Sequence, residues 1–387
     1  MCFYKSENSR RAKGENMAKL GIIALKGAEK MGESVNNTLM HWKKSKGKRV
    51  PEGGYIIHTS CPRFGSGESK GLISESIRGK DLYFLIDVCN HSITYKMFGE
   101  QVKMSPDDHY QDLKRLIAAC NGKANRITVI MPFLYESRQH RRTTRESMDC
   151  ALMLRELENM GVHDIITFDA HDSRVQNAIP LSSLENVSPS LQVVETLLAN
   201  VDDLNLTPEH MMVISPDEGA TDRAIYLANV LGVNMGMFYK RRDYTTIIDG
   251  RNPIIAHEFL GESVEGKDVI VIDDMISSGD SMIDVAKQLK ERKANRIFVV
   301  STFGLFTNGL EKFDKAVEDG LIYKILTTNC IYQKPELLER EWYLSVEMDT
   351  YIAALIDHLN KDSSINEIIN PSKRIKEEVE EYNKKRV

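Results

Sequence analysis

Residues Val269 to Ser281 read VIVIDDMISSGDS, and this stretch restricts the fold more than any other. Four β-branched residues in a row, Val269 to Ile272, predict a short strand buried on both faces, as parallel sheets contain. Two acids, Asp273 and Asp274, stand at its C-terminal end. A small, hydroxyl-rich turn of Ser277, Ser278, Gly279, Asp280 and Ser281 leads into a predicted helix from Met282 to Arg292. In an open α/β sheet, ligands sit where strands end and helices begin. A Ser/Gly turn opening a helix presents backbone N–H groups and hydroxyls, which suit a phosphate. The two carboxylates suit ribose hydroxyls or Mg2+. The turn is therefore built for a phosphorylated sugar.

The rest of the chain alternates in the same way after about Gly53. Predicted strands are Asp81–Val88, Arg126–Met131, Asp164–Phe168, Met211–Ile214, Met235–Phe238, Val269–Ile272, Ile297–Ser301 and Ile325–Thr328. Amphipathic stretches between them, such as Asp107–Ala119, Ser147–Met160, Thr221–Leu231 and Leu310–Asp319, predict helices. Strands and helices at this spacing predict βαβ units and parallel sheets. The pattern occurs twice, over residues 55–190 and 191–345. Each half has an apolar strand running into an acidic turn, Ile165–Ser173 in one and Val269–Ser278 in the other. The expected organisation is α/β, with two tandem domains of mainly parallel sheet flanked by helices. Residues 1–54 are expected to form a basic, solvated extension, with Lys43, Lys44, Lys46, Lys48 and Arg49 near its end. Residues 346–387 are expected to form a charged helical tail.

Composition narrows the function. The 387 residues are 42% hydrophobic and 28% charged, as in ordinary globular proteins. A net charge of −5 gives no support for nucleic-acid binding. No apolar run approaches the ~20 residues that span a bilayer, so no membrane partner is expected. The six cysteines are scattered and form no CxxC pair. Reduced thiols in a cytoplasmic protein are the expectation, rather than zinc or redox chemistry.

Four further segments carry chemistry. Pro132–Arg145, PFLYESRQHRRTTR, follows a predicted buried strand with Arg138, Gln139, Arg141, Arg142 and Arg145. It reads either as a solvated loop or as a mobile clamp, because arginine forks match phosphate oxygens. Phe168-Asp169-Ala170-His171 ends another strand, where an imidazole can coordinate a metal or bond a water. Ser215-Pro216-Asp217-Glu218-Gly219-Ala220 also follows an apolar strand; its acid suits Mg2+, and its small residues allow close backbone approach. Both turns have an ordinary explanation in helix capping. Lys240-Arg241-Arg242 ends a fourth strand, and a salt-bridged surface run is the default for such a triplet.

As an ordered set these segments resemble the ribose-phosphate pyrophosphokinase family. The motifs are FGSGE (Phe64–Glu68), the Tyr135–Gln139 segment ending in Arg-Gln, DAH (Asp169–His171), SPDEG (Ser215–Gly219), KRR (Lys240–Arg242) and VIVIDDMISSGDS. The resemblance spans roughly Arg63 to Asn308. It implies two phosphoribosyltransferase-like α/β domains, homo-oligomers built from dimers, and Mg2+-dependent transfer of the β,γ-diphosphoryl group of ATP to the C1 hydroxyl of ribose 5-phosphate, with AMP leaving. By position, Arg138 and Gln139 are implied to bind ATP, and Phe64 and Glu68 to reach the adenine of a neighbouring subunit. His171 and Asp217 match magnesium-binding positions, with His171 also counted as catalytic. Lys240 and Arg242 match the cations that stabilise the transferring group. Asp273, Asp274, Ser277, Ser278, Gly279, Asp280 and Ser281 match the ribose 5-phosphate loop.

The chain departs from the family pattern at several places. Ser66 stands where Asp is common, His140 follows the Arg-Gln pair in place of Asp, Ala220 replaces a glycine, Ser277 replaces a frequent Asp, and Asp280 sits where glycine is usual. An insertion is expected near Lys96–Pro106. Two other functions share parts of the pattern. A nucleobase phosphoribosyltransferase would need one such domain and no arginine loop. A non-catalytic regulatory homologue would keep the fold and bind a catalytic relative.

Overall fold

In a computed structural model of the chain, residues 19–242 and 254–384 are described, and of residues 240–242 and 254–257 the backbone alone. Two sheets organise them. The first has five parallel strands in the order Lys19–Ala24, Lys80–Leu85, Arg126–Ile130, Asp164–Phe168, Ser183–Val187. The second has seven, in the order Ile254–Leu260, Asn234–Arg242, Met211–Ser215, Asp268–Ile276, Ile297–Gly304, Lys324–Thr328, Tyr343–Val346. All of these are parallel except Ile254–Leu260, which runs antiparallel along one edge.

The second sheet explains why acidic turns distant in sequence meet. From Met211–Ser215 the chain first builds one side of the sheet, then returns with Asp268–Ile276 to the other side. Those two strands are adjacent, so their C-terminal ends flank the point where the strand order reverses, the usual ligand crevice of such sheets. Val269, Ile270 and Val271 are fully buried, as their unbroken β-branched run requires. The helix Asp280–Glu291 that follows buries Met282, Ile283, Val285, Ala286 and Leu289, one face at helical spacing.

Two expectations about the chain ends are corrected. Residues 1–54 are not all a solvated arm. Lys19–Ala24 is a strand with Ile22 and Ile23 fully buried, and Glu29–Ser45 is a helix packed through Met31, Val35 and Leu39. The apolar run that makes this strand is short and lies among basic residues, which hid it. The basic cluster caps the helix end electrostatically, since Lys43 and Lys44 lie in its last turn. Residues 1–18 of the expected extension lie outside the described residues. The C-terminal segment is helical but docked. Asp349–Leu359 packs on helix Glu29–Ser45, with Lys43 Nζ 3.2 Å from Asp357 Oδ1. Ser372–Lys384 buries Ile375 and Val379 against the body. Within the expected insertion, Thr94–Met97 and Glu100–Lys103 form a small antiparallel hairpin.

Candidate active site

The acidic strand end of the first half and that of the second half face each other. His171, just beyond strand Asp164–Phe168, places Nδ1 2.7 Å from Asp274 Oδ2, on strand Asp268–Ile276. Asp274 is almost fully enclosed, whereas the His171 ring keeps 39% of its side-chain surface open. The bond to Asp274 raises the His171 pKa, against the opposing effect of burial. It also fixes which ring nitrogen is occupied: Nδ1 is held by Asp274, leaving Nε2 as the nitrogen that would face a metal or a water.

Beneath this pair lies a brace between the halves. Asp169 accepts from Arg223 Nε at 3.1 Å and from Thr302 Oγ1 at 2.7 Å. Arg223 belongs to helix Thr221–Leu231, and its Nη1 lies 3.9 Å from Asp273 Oδ1. Burial raises the Asp169 pKa, with Arg223 pulling it back. Burial and the neighbouring Asp274 charge push Asp273 well up. Burial also works to raise Asp274, but the His171 bond and Arg223 outweigh it and hold the group low. The pair therefore keeps Asp274 ionised and Asp273 as the more readily protonated partner, as expected for adjacent carboxylates. Asp217 lies close enough for its charge to act on Asp273. Its Oδ1 accepts from Gly219 N at 2.9 Å, the local capping bond of the turn.

The turn Ser277–Ser281 is shaped by one glycine. Gly279 has φ +84°, and a Cβ there would stand 2.0 Å from Phe313 Cζ, so both backbone and space demand glycine. Asp280, which stands where glycine is usual, is bonded to Lys312, whose Nζ lies 2.5 Å from Asp280 Oδ1. That ion pair lowers the Asp280 pKa and turns its charge toward a cation.

Arg138 is exposed, and its charge reaches both His171 and Cys89. Gln139 donates from Nε2 to Ser147 O at 2.8 Å, closing the arginine loop on itself. His140 places Nε2 3.3 Å from Asp172 Oδ2, and its ring centroid is 5.5 Å from that of His171. Lys240 and Arg242 stand at the C-terminal end of strand Asn234–Arg242, beside Met211–Ser215 in the sheet; their side chains lie outside the described residues. Phe64 and Glu68 sit on a separate loop. Among the described residues, no hydrogen bond, ion pair or ring contact joins them to the His171–Asp274 cluster.

The structure thus brings together His171, Asp217, Asp273 and Asp274, with Arg138 nearby, and leaves Phe64 and Glu68 apart. Sequence reasoning passed over Arg223 and Thr302. Arg223 reads as one residue of an amphipathic helix, and its position one turn after the Asp217 loop was the available signal.

No cluster of three or more His, Cys, Asp or Glu that could hold a metal ion by itself occurs among the described residues. The donor set does fit Mg2+ of the kind that keeps several waters and is carried largely by substrate phosphates, with one or two protein ligands. His171 Nε2 and Asp217 would be those ligands. No described helix is long and apolar enough to cross a membrane.

Comparison with known proteins gives a consistent picture. Residues 20–161 match the N-terminal domain of ribose phosphate pyrophosphokinase, and residues 180–326 match the phosphoribosyl transferase domain. A ribose-phosphate pyrophosphokinase of Mycoplasma genitalium is 31% identical over 278 residues, covering 70% of this chain and 75% of that protein. One from Vibrio cholerae is 26% identical over 329 residues, covering 84% and 95%. In three dimensions the chain is similar to a phosphoribosylpyrophosphate synthetase from Mycobacterium smegmatis. That likeness has a TM-score of 0.69 at 18% identity, covers 89% of this chain and 100% of that one, and shows the shared two-domain fold.

Proposed function

The chain belongs to the ribose-phosphate pyrophosphokinase family, and from that premise we propose that it is itself an active, Mg2+-dependent diphosphotransferase using ATP and ribose 5-phosphate. The C1 hydroxyl oxygen attacks the β-phosphorus of ATP. The bond from that phosphorus to the oxygen bridging it to the α-phosphate breaks, AMP leaves with the electron pair, and the hydroxyl proton is released.

The observation carrying this reading is the meeting of His171 and Asp274 across the two halves at 2.7 Å. It sets a nucleotide-side group beside the acid of the sugar-phosphate turn, and reactants so placed need little covalent help from the protein. Ser277 to Ser281 hold the 5-phosphate, while Asp273 and Asp274 hold the ribose hydroxyls. Arg138 and Gln139 hold the nucleotide phosphates. Lys240 and Arg242 meet the charge that builds toward AMP. His171 and Asp217 would hold Mg2+, which would supply charge neutralisation to the phosphates. Phe64 and Glu68 reach the adenine of a neighbouring subunit, which makes a homo-oligomer the working form, and the compartment is the cytoplasm.

The test is release of AMP from ATP with ribose 5-phosphate and Mg2+, on the isolated protein. AMP release supports the synthetase. Diphosphate release that depends on an added nucleobase would instead make it a phosphoribosyltransferase, and inactivity alone with stimulation of a catalytic relative would make it regulatory.

A further inference from the structure

The hairpin Thr94–Lys103 ends in a tight turn whose central residues are Phe98 and Gly99, between the paired residues Met97 and Glu100. Both have positive φ, 50° and 88°, which makes a two-residue hairpin turn of the kind that favours Asn or Asp followed by Gly. Phenylalanine is a poor choice there, since a bulky residue at positive φ is strained. Burial does not compensate, because Phe98 is 82% exposed. Folding alone therefore gives no reason for this residue.

The hairpin is joined to the loop carrying Phe64 and Glu68. Phe98 N donates to Gly65 O at 2.8 Å. Met97 packs on Gly67, where a Cβ would come within 2.7 Å of its sulfur. At the base of the pair, the Arg63 guanidinium lies 4.7 Å from the centroid of the Tyr95 ring. Two segments fastened at three places thus carry two exposed rings, since Phe64 is 54% exposed. Ser66 Oγ is meanwhile bonded to Glu68 Oε2 at 2.9 Å, so the loop's hydroxyl is directed at its own neighbour.

We infer that Phe98 is a second nucleobase-stacking residue, which with Phe64 grips the base of the nucleotide donor bound to an adjoining copy of this chain. This rests on the proposed reaction and adds a contact to it. Stacking on aromatic rings is worth a substantial part of binding and is tolerant of base identity. It suits a loop in which Ser66 stands where an acid is common and its hydroxyl is turned to Glu68.

The variants Phe98→Asn and Phe98→Tyr test this in the full-length protein, with KM for ATP and for ribose 5-phosphate, sedimentation and thermal melting measured on each. Phe98→Asn is expected to raise the KM for ATP about tenfold. It should leave the KM for ribose 5-phosphate and the oligomeric state as in the parent, and keep or raise the melting temperature because the turn strain is relieved. Phe98→Tyr, which keeps a ring, should restore the parental KM. An unchanged KM for ATP in Phe98→Asn overturns the inference. So does a raised KM accompanied by dissociation of the oligomer, which would make Phe98 an interface anchor. A parent protein that releases no AMP at all fails the proposed function instead, and is seen before any variant is made.

Discussion

His171 and Asp274 lie 103 residues apart in the chain, yet their side chains meet at 2.7 Å. The carboxylate is enclosed and held in its ionised form by the imidazole and Arg223, and it presents the outward ring nitrogen in a fixed orientation. A carboxylate behind a metal-binding histidine commonly sets metal affinity or activity by 10–100-fold. Replacing Asp274 with Asn removes the charge and keeps the shape. Turnover is expected to fall by about two orders of magnitude, within that range. The Mg2+ concentration for half-maximal rate should also rise. Steady-state rates across a Mg2+ titration check both, and an unaltered Mg2+ dependence would count against His171 as a ligand.

Gly279 is the backbone pivot of the turn Ser277–Ser281, which is proposed to hold the 5-phosphate. Gly279→Ala forces a Cβ against the Phe313 ring, at 2.0 Å from Cζ, in a conformation with φ +84°. Left-handed strain for a residue with a Cβ is roughly 1–2 kcal/mol, and overpacking typically adds about 1–3 kcal/mol. The variant should lose roughly 2–5 kcal/mol of stability in urea titration. Its KM for ribose 5-phosphate should rise more than its KM for ATP. Equal effects on both substrates would place the turn elsewhere.

The strand end and tight turn here were the local structure most legible in the sequence, and the reasons are local. Val269–Ile272 is an unbroken β-branched run, and a Gly two residues after Ser277 signals a tight turn regardless of what surrounds it. Edge strands were harder. Ser183–Val187 and Tyr343–Val346 are half-polar because one side of each faces outward, so neither shows a buried-strand run. Lys19–Ala24 is apolar but short, and its basic surroundings read as a solvated arm. The pairing of His171 with Asp274, and the bond of Arg223 to Asp169, depend on how the two sheets pack against each other. No spacing along the chain encodes that distance. The outward pairing of Asp280 with Lys312 was equally invisible, because Lys312 comes from the next helix.

The Arg223 brace predicts a large stability effect with a defined sign. Arg223 and Asp169 are both largely shielded from solvent, with 16% and 18% of their side chains exposed. Removing one partner of such a pair strands the other charge and typically costs about 3–5 kcal/mol. Arg223→Met should therefore lower stability by that order, while the double variant Arg223→Met, Asp169→Asn should recover much of it. Chemical denaturation of the three proteins checks the cycle. A double variant no better than the single one would show that the bond to Thr302, rather than the charge pair, holds the seam.

Lys240 stands at the end of strand Asn234–Arg242, next to the strand that leads to Asp217. A preorganised charge aimed at the transition state is worth roughly 3 kcal/mol. Lys240→Ala is expected to leave the melting temperature unchanged and reduce kcat about a hundredfold or more. Near-normal turnover would remove Lys240 from the chemistry.

Asp87 gives the protein a pH dependence of stability. It is 4% exposed. It accepts from Cys89 N at 2.8 Å and, across the seam, from Tyr332 N at 2.6 Å. Burial outweighs these bonds and lifts its pKa to about 7, whereas an unfolded chain would release the proton near pH 3.9, approximately. The folded protein therefore holds a proton that the unfolded chain has lost over about pH 4–7, and stability falls as pH rises through that window. The contribution is fully present below about pH 4 and lost once the pH passes about 7, on the order of 3–4 kcal/mol. Asp87→Asn cannot titrate. It also exchanges one accepting oxygen for a donor, so it is less stable than the parent at low pH. Its deficit should shrink steadily from about pH 4 to about pH 7 and stay level above that, because the parent weakens over that window and the variant does not. Unfolding midpoints of both proteins at several pH values measure the difference, and a deficit that stays constant across that span would show that Asp87 does not titrate at the seam.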